Sequence, residues 1–85
     1  LLKLLKFDEE SWNSLFHMVT SKDEESRHLA FGMLENIDYN DQEQMEKFEE
    51  NMQLSMGSLN MPTNDKGKII HHYFTALSKQ NVNQY

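Results

Sequence analysis

The chain has 85 residues, with 14 acidic and 8 basic side chains, a net charge of −6 and no cysteine. This length supports one small domain, so we expect residues 1–85 to fold as a single helical unit. The lack of cysteine excludes a disulfide framework, a thiolate metal site and a cysteine nucleophile within this sequence. The negative charge opposes binding to a nucleic-acid backbone.

The first five residues, Leu-Leu-Lys-Leu-Leu, are the one apolar cluster at an end of the chain. This run is far shorter than the ~20 residues of a membrane span, and we expect a cytoplasmic protein. Two lysines followed at once by three acidic residues attract anionic lipid only weakly. Residues 1–6 are therefore predicted either to form an extra helix that packs onto the domain or to belong to a trimmed upstream part.

The first clear helix is predicted over residues 9–20. Asp8 is a good N-cap, and Phe7 and Trp12 have the spacing of a hydrophobic staple. Apolar side chains recur at i, i+3, i+4 and i+7, which is the period of an amphipathic helix: Trp12, Leu15, Phe16 and Val19. The turn that follows has two or three residues, so the next helix is expected to lie antiparallel against the first.

A second helix is predicted over residues 22–37, because Ser21 and Glu24 have the spacing of a capping box. Its apolar side chains spread over an arc of roughly 200°, which is wider than the stripe of a one-sided surface helix. The residues of this arc are Leu29, Ala30, Phe31, Met33, Leu34 and Ile37. We therefore expect the second helix to be sandwiched between other elements.

The third helix begins at either Asn40 or Asp41, since each has Glu or Gln three residues later. Gly57 and Ser58 indicate that it ends near residue 56. It carries a narrow, methionine-rich stripe in a near-heptad rhythm: Met45, Phe48, Met52, Met56 and Leu59.

A fourth helix is predicted to start at 63–65, after a loop that contains Pro62. It carries apolar side chains on one face: Ile69, Ile70, Tyr73, Phe74 and Leu77. The polar tail at 80–85 is expected to fray. No alternating β-branched run competes with the helices, so the fold is predicted to be all-α, a compact bundle of about four helices.

The first two helices resemble one HEAT- or armadillo-like helical repeat over residues 9–37. The resemblance rests on their short turn, on Asp23 and on the spacing of Arg27, Ala30, Leu34 and Ile37. It implies an antiparallel helical hairpin. An acidic, cysteine-free chain rich in Lys, Asn and Met is also similar to the small cytoplasmic accessory proteins of T-even-type phages, such as those of lysis inhibition. That resemblance implies a regulatory role.

Two patterns raise the possibility of a metal site. Glu25 and His28 form a Glu-x-x-His, the helical unit of di-iron bundles, but the sequence has no second copy. His71 and His72 are adjacent and point about 100° apart on a helix, which prevents joint chelation of one ion. A solvated position for His28 and partial burial for the adjacent pair are the simpler interpretations.

Residues 38–49 match part of a calcium-loop frame, with oxygen-bearing residues at five ligand positions: Asp38, Asn40, Gln42, Gln44 and Glu49. The sixth position, where the sharp turn needs glycine, is Glu43. An ordinary turn between helices explains these residues better.

No nucleophile is paired with a base by its spacing, so we predict no enzyme, no catalytic residue, no cofactor and no metal. The expected function is a regulatory protein-interaction module that docks an apolar helical face onto another protein, including a second copy of itself. Methionines adapt to a partner's surface, which places the candidate partner-binding residues on the third helix: Met45, Phe48, Met52 and Met56. Alternatives are core filling by that stripe, a phage accessory regulator, and a metal- or small-ligand-binding bundle that uses His28, His71 or 38–49.

Overall fold

The computed structural model describes residues 4–83, with side chains for residues 4–79, and this range holds four helices and no strand. The helices are α1 (Glu9–Val19), α2 (Glu24–Leu34), α3 (Gln42–Ser55) and α4 (Thr63–Asn83). The predicted all-α bundle is confirmed. Within the described range, α1 packs against both α2 and α3, whereas α4 packs closely against α3 alone.

The start of α1 confirms the local predictions. The Asp8 carboxylate accepts a hydrogen bond from the Ser11 backbone N–H over 2.8 Å, as an N-cap does. The Phe7 ring meets the Trp12 ring edge-on with centroids 5.9 Å apart, which completes the hydrophobic staple. All four residues of the apolar stripe predicted for α1 are buried.

The predicted capping box of the second helix is wrong. Asp23 is the N-cap, and its carboxylate accepts from the backbone N–H of Ser26. The Ser21 hydroxyl oxygen instead accepts from the Asp23 backbone N–H over 3.1 Å. Ser21 therefore shapes the turn before the helix, and the helix begins two residues later than predicted.

The expectation that this helix is sandwiched is also wrong. α2 ends at Leu34 and buries a single side, formed by Arg27, Ala30 and Leu34. Leu29 is 56% exposed and Met33 is 38% exposed. Among the described helices α2 packs closely against α1 only, so no helix covers Leu29 and Met33.

Residues 4–7, termed the N-terminal segment, are extended, which corrects the predicted extra helix for residues 4–6; residues 1–3 lie outside the described range. Leu5 donates its N–H to the Asn36 carbonyl over 2.7 Å and accepts from the Asp38 N–H over 2.9 Å, an isolated parallel bridge. The Phe7 backbone N–H and C=O both bond to the Gln44 side-chain amide at 2.8 Å. The same amide oxygen accepts from the Trp12 indole N–H.

Aromatic rings form the centre of the core. Phe48 is fully buried, and its ring centroid lies 5.3 to 6.2 Å from those of Trp12, Phe16, Tyr39, His72 and Tyr73. These rings come from α1, α3, α4 and the 35–41 connection, so one side chain ties four parts of the chain together. Aromatic pairs at such distances add stability beyond the area they bury.

Asp41 caps α3, which decides between the two predicted caps, and the helix ends at Ser55 as expected. α4 begins at Thr63 and is helical as far as Asn83, and the fraying expected from residue 80 stays a prediction; residues 84–85 lie outside the described range. This stretch contains no glycine or proline to stop the helix. Across the described chain, none of the helices combines the length and apolarity that crossing a bilayer requires.

Candidate interaction surfaces

The methionine stripe of α3 divides between core and surface. Met45 is 3% exposed and Phe48 is fully buried, so these two predicted partner-binding residues belong to the chain's own core. Met52 and Met56 are half-buried and pack against that core. The prediction is therefore corrected for Met45 and Phe48, and only the second half of the stripe reaches the surface.

The same half of α3 adjoins an exposed apolar side of α4. Ile70 and Phe74, one helical turn apart, are 42% and 61% exposed, although sequence grouped them on one face with the buried Ile69. Half-buried Tyr73 connects this pair to the core, since its ring lies 5.6 Å from that of Phe74 and 6.2 Å from that of Phe48. We term this surface the α3–α4 face; it comprises Met52, Met56, Ile70, Tyr73, Phe74 and Leu77.

Charges of both signs border the α3–α4 face. Burial and the neighbouring Glu49 carboxylate raise the pKa of Tyr73 above its usual value, so Glu49 lies beside this ring. Glu49 shares one side of α3 with Met52 and Met56, at i, i+3 and i+7. Lys66 precedes Ile70 by one turn on α4. The α3–α4 face is therefore bordered by acidic Glu49 on α3 and by basic Lys66 near the start of α4.

A second surface, the α2–α4 groove, lies on the other flank of α4. α2 and α4 make no close backbone approach in the described structure, and a cavity of about 750 Å³ separates them. Two lysines and two histidines line it together with one acidic residue and smaller polar groups. The lining residues are Phe31, Glu35, Asn36, Asn64, Gly67, Lys68, His71, His72, Thr75 and Lys79.

An ion pair bridges α2 and α4 beside one end of the groove. Arg27 Nε donates to Asp65 Oδ2 over 2.6 Å, and Arg27 Nη1 donates to the carbonyls of Ser21 and Lys22. Beside it, the Lys68 ammonium lies 5.8 Å from the centre of the Phe31 ring, within reach of a cation–π contact. The beginnings of α2 and α4 are thus held at a fixed separation.

Two hydrogen bonds of the Tyr39 hydroxyl lie at the floor of the groove. The Tyr39 hydroxyl donates to the Leu34 carbonyl over 2.8 Å. Its one hydrogen is used there, so the contact of 2.9 Å with His72 Nε2 requires this nitrogen to carry a hydrogen and donate. Burial lowers the pKa of His72, which favours the neutral ring. Burial also raises the pKa of Tyr39, which keeps its hydroxyl protonated.

The residues singled out for metal binding are dispersed. Glu25, His28 and His71 are exposed, and His72 is half-buried. Nowhere in the described part of the chain do three or more His, Asp or Glu side chains come together in a way that suits a metal ion. Residues 38–41 of the calcium-loop frame form an interhelical turn, in which the Asp38 carboxylate accepts from the Asn40 N–H. Residues 42–49 belong to α3, where Gln44 is buried in the core.

The most consequential polar residues have weak sequence signals. Arg27 stands at a core-facing position of α2, three and seven residues before two buried apolar residues, and that register was its only signal. Gln44 stands four residues before Phe48 on the buried side of α3. Asp65 looks like an ordinary first-turn acidic residue of a helix.

The chain matches no protein-family model, and comparison with curated proteins and with solved structures gives no significant match. The two resemblances, to a HEAT-like repeat over residues 9–37 and to phage accessory proteins, therefore stay predictions. Any functional argument depends on the two surfaces themselves.

Proposed function

We propose that this chain is a non-enzymatic protein-interaction module that associates with a second copy of itself through the α3–α4 face. The observation that carries the proposal is the exposure of Phe74 and Ile70 on a helix whose other side is packed. Scattered exposed apolar residues are ordinary in monomers, whereas a contiguous apolar surface with a polar border is typical of an interface.

The border charges favour a second copy as the occupant. In a two-fold contact the same patch of each subunit meets its counterpart, so a residue on one end of the patch meets a residue from the other end. Glu49 and Lys66 have opposite charges; Glu49 lies beside Tyr73, whereas Lys66 lies one turn before Ile70. A two-fold axis near Ile70 places Lys66 of one copy near Glu49 of the other, in both directions.

The size of α4 is compatible with such a contact. Its 21 residues give a rod about 31 Å long. A standard interface buries about 800 Å² on each partner, which a dimer contact would draw from this helix and the adjoining side of α3. Burial of an aromatic side chain near the centre is the usual source of affinity, and Phe74 has that position.

Sedimentation equilibrium tests the proposal. We expect a dimer at tens of micromolar, the range of a modest interface. Phe74→Glu should yield a monomer with unchanged helical circular dichroism, because it places a charge in the contact without touching the core. Leu54→Glu is the matched control: Leu54 is 75% exposed on another side of α3, so this variant should remain dimeric.

Exchanging the charges of Glu49 and Lys66 distinguishes a specific interface from non-specific association. Glu49→Lys should weaken the dimer, because lysines then meet across the two-fold axis, and the double variant with Lys66→Glu should restore it. A wild-type chain that stays monomeric at this concentration would refute the proposal. Equal loss of dimer in Phe74→Glu and Leu54→Glu would refute the location of the contact.

A further inference from the structure

Charge is segregated along the chain. Residues 63–85 carry three lysines and a single acidic residue, whereas residues 7–62 carry the other thirteen acidic residues, two lysines and one arginine; each range holds two histidines. α4 is therefore a basic helix on an acidic body. Two of its three lysines, Lys68 and Lys79, line the α2–α4 groove, and Glu35 is the one acidic group among the lining residues.

The groove is held open by contacts at one end and along its floor. Arg27 and Asp65 form a largely buried ion pair at the start of both helices. Tyr39 and His72 connect the end of α2 to the middle of α4 through their hydrogen bond. An opening maintained by such contacts needs little rearrangement to accept a ligand, and its volume of about 750 Å³ lies within the usual range for binding sites.

The spacing of the lysines indicates the shape of the ligand. Lys68 and Lys79 are eleven residues apart on one side of α4, which corresponds to about 16 Å along the helix axis. A single small anion does not span this distance. An extended peptide rises about 3.3 Å per residue, so carboxylates five residues apart match the two ammonium groups.

We propose that the α2–α4 groove binds an acidic peptide segment of another protein. Two carboxylates of the segment pair with Lys68 and Lys79, and an apolar side chain between them packs against half-buried Phe31. The paired charges fix the register of the segment and speed its association. Phe31 supplies apolar contact area at the end of the groove where Lys68 lies.

This site is independent of the proposed self-association. Lys68, Thr75 and Lys79 share one side of α4, at i, i+7 and i+11, whereas Ile70 and Phe74 lie on a different side. A dimer formed through the α3–α4 face leaves both grooves accessible. It would then bind two acidic segments, and bivalent binding raises the overall affinity for a partner that carries both.

A peptide titration on the full chain tests the site. The probe is a fluorescein-labelled octapeptide with glutamate at its second and seventh residues, leucine at its fourth, and serine or glycine elsewhere. Fluorescence anisotropy should show saturable binding with a dissociation constant on the order of 100 μM that weakens as salt is raised. The same peptide with lysine in place of both glutamates should not bind.

Variants locate the binding. The double variant Lys68→Glu with Lys79→Glu should weaken the glutamate peptide about tenfold or more and should now bind the lysine peptide, because the charges are exchanged. Lys22→Glu, a single charge reversal of the same kind at an exposed residue of the α1–α2 turn, should leave binding unchanged, whereas each single variant of Lys68 and Lys79 should weaken it. Phe74→Glu should also bind the peptide normally, which distinguishes this site from the dimer contact.

Three outcomes would overturn the inference. The first is no anisotropy change up to about 1 mM peptide, the limit for a useful weak interaction. The second is equal weakening by Lys22→Glu, which would show a general charge effect. The third is displacement of the peptide by an equal concentration of inorganic phosphate, which would identify a small-anion site instead of a peptide groove.

Discussion

Arg27 and Asp65 are 38 residues apart in sequence, yet the arginine Nε lies 2.6 Å from the aspartate Oδ2, and the two side chains are 10% and 14% exposed. The same guanidinium donates to two carbonyls in the turn before α2. One side chain thus joins that turn, the first turn of α2 and the first turn of α4. These bonds position α4 relative to α2, although the two helices do not pack closely on each other.

Asp65→Ala should lower the free energy of unfolding by about 3 kcal/mol, because it leaves a buried guanidinium without its counter-ion. Urea unfolding followed by circular dichroism measures the loss. Lys68→Ala is the control: it removes the exposed partner of Asp65 at 3.7 Å and should cost less than about 1 kcal/mol. The double variant Asp65→Ala with Arg27→Met should be more stable than Asp65→Ala alone, because it removes the unpaired guanidinium. A further loss of stability would contradict the unpaired charge as the cause.

Leu34→Ala and Leu29→Ala should differ sharply, although both residues belong to the apolar arc of the second helix. Leu34 is fully buried, so its truncation leaves a cavity and should cost about 2–5 kcal/mol. Leu29 is 56% exposed, and its truncation should change stability by less than about 0.5 kcal/mol. Thermal unfolding of the two variants is sufficient; similar losses would mean that α2 is covered on both sides.

Stability should fall as the pH is lowered from about 7 towards about 5. Burial lowers the pKa of His72 from its ordinary value of 6.5, so the unfolded chain binds a proton in this window that the folded chain excludes. Hydrogen bonds lower the pKa values of Asp8, Asp23 and Asp41. Protonation of these carboxyl groups reduces stability only at more acidic pH, near and below their ordinary pKa of 3.8.

Urea midpoints at several pH values within this window measure the effect. His72→Gln should flatten the dependence, since it removes the titrating ring and keeps a side-chain donor. His28→Gln, at an exposed position of α2, should retain the wild-type slope. A slope that survives in His72→Gln would assign the effect to another group.

Local signals predicted the helices well because each depends on neighbouring residues alone. Asp8 caps α1 and Asp41 caps α3 through backbone groups two or three residues away, and the stripe of α1 follows a simple period. The burial of α2 was not predictable in this way. Periodicity shows which residues share a side of a helix, but whether Leu29 and Met33 are covered depends on where the other helices lie.

The candidate surfaces were predictable only in part. Met52 and Met56 were expected to reach a partner, and they border the exposed pair on α4; Met45 and Phe48 were expected to do so and lie in the core. The α2–α4 groove had no sequence signal, because it results from the separation of two helices that are remote in the chain.

The N-terminal segment has a consequence for the order in which the molecule opens. Leu5 bonds to Asn36 and Asp38 in the connection between α2 and α3, and Phe7 bonds to Gln44 of α3, all more than thirty residues later. The Leu5 bonds therefore require this connection to be in place, and the Phe7 bonds require α3 to be docked. Long closures are costly in chain entropy, and such a latch forms late and releases early. The backbone amides of Leu5, Phe7 and Asp38 should therefore exchange with deuterium together, at a lower protection than those beside Trp12 and Phe48. Release of this segment also removes the Phe7 N–H donor and the Phe7 C=O acceptor that hold the Gln44 amide in place, which makes the indole N–H of Trp12 a reporter of this sub-global unfolding.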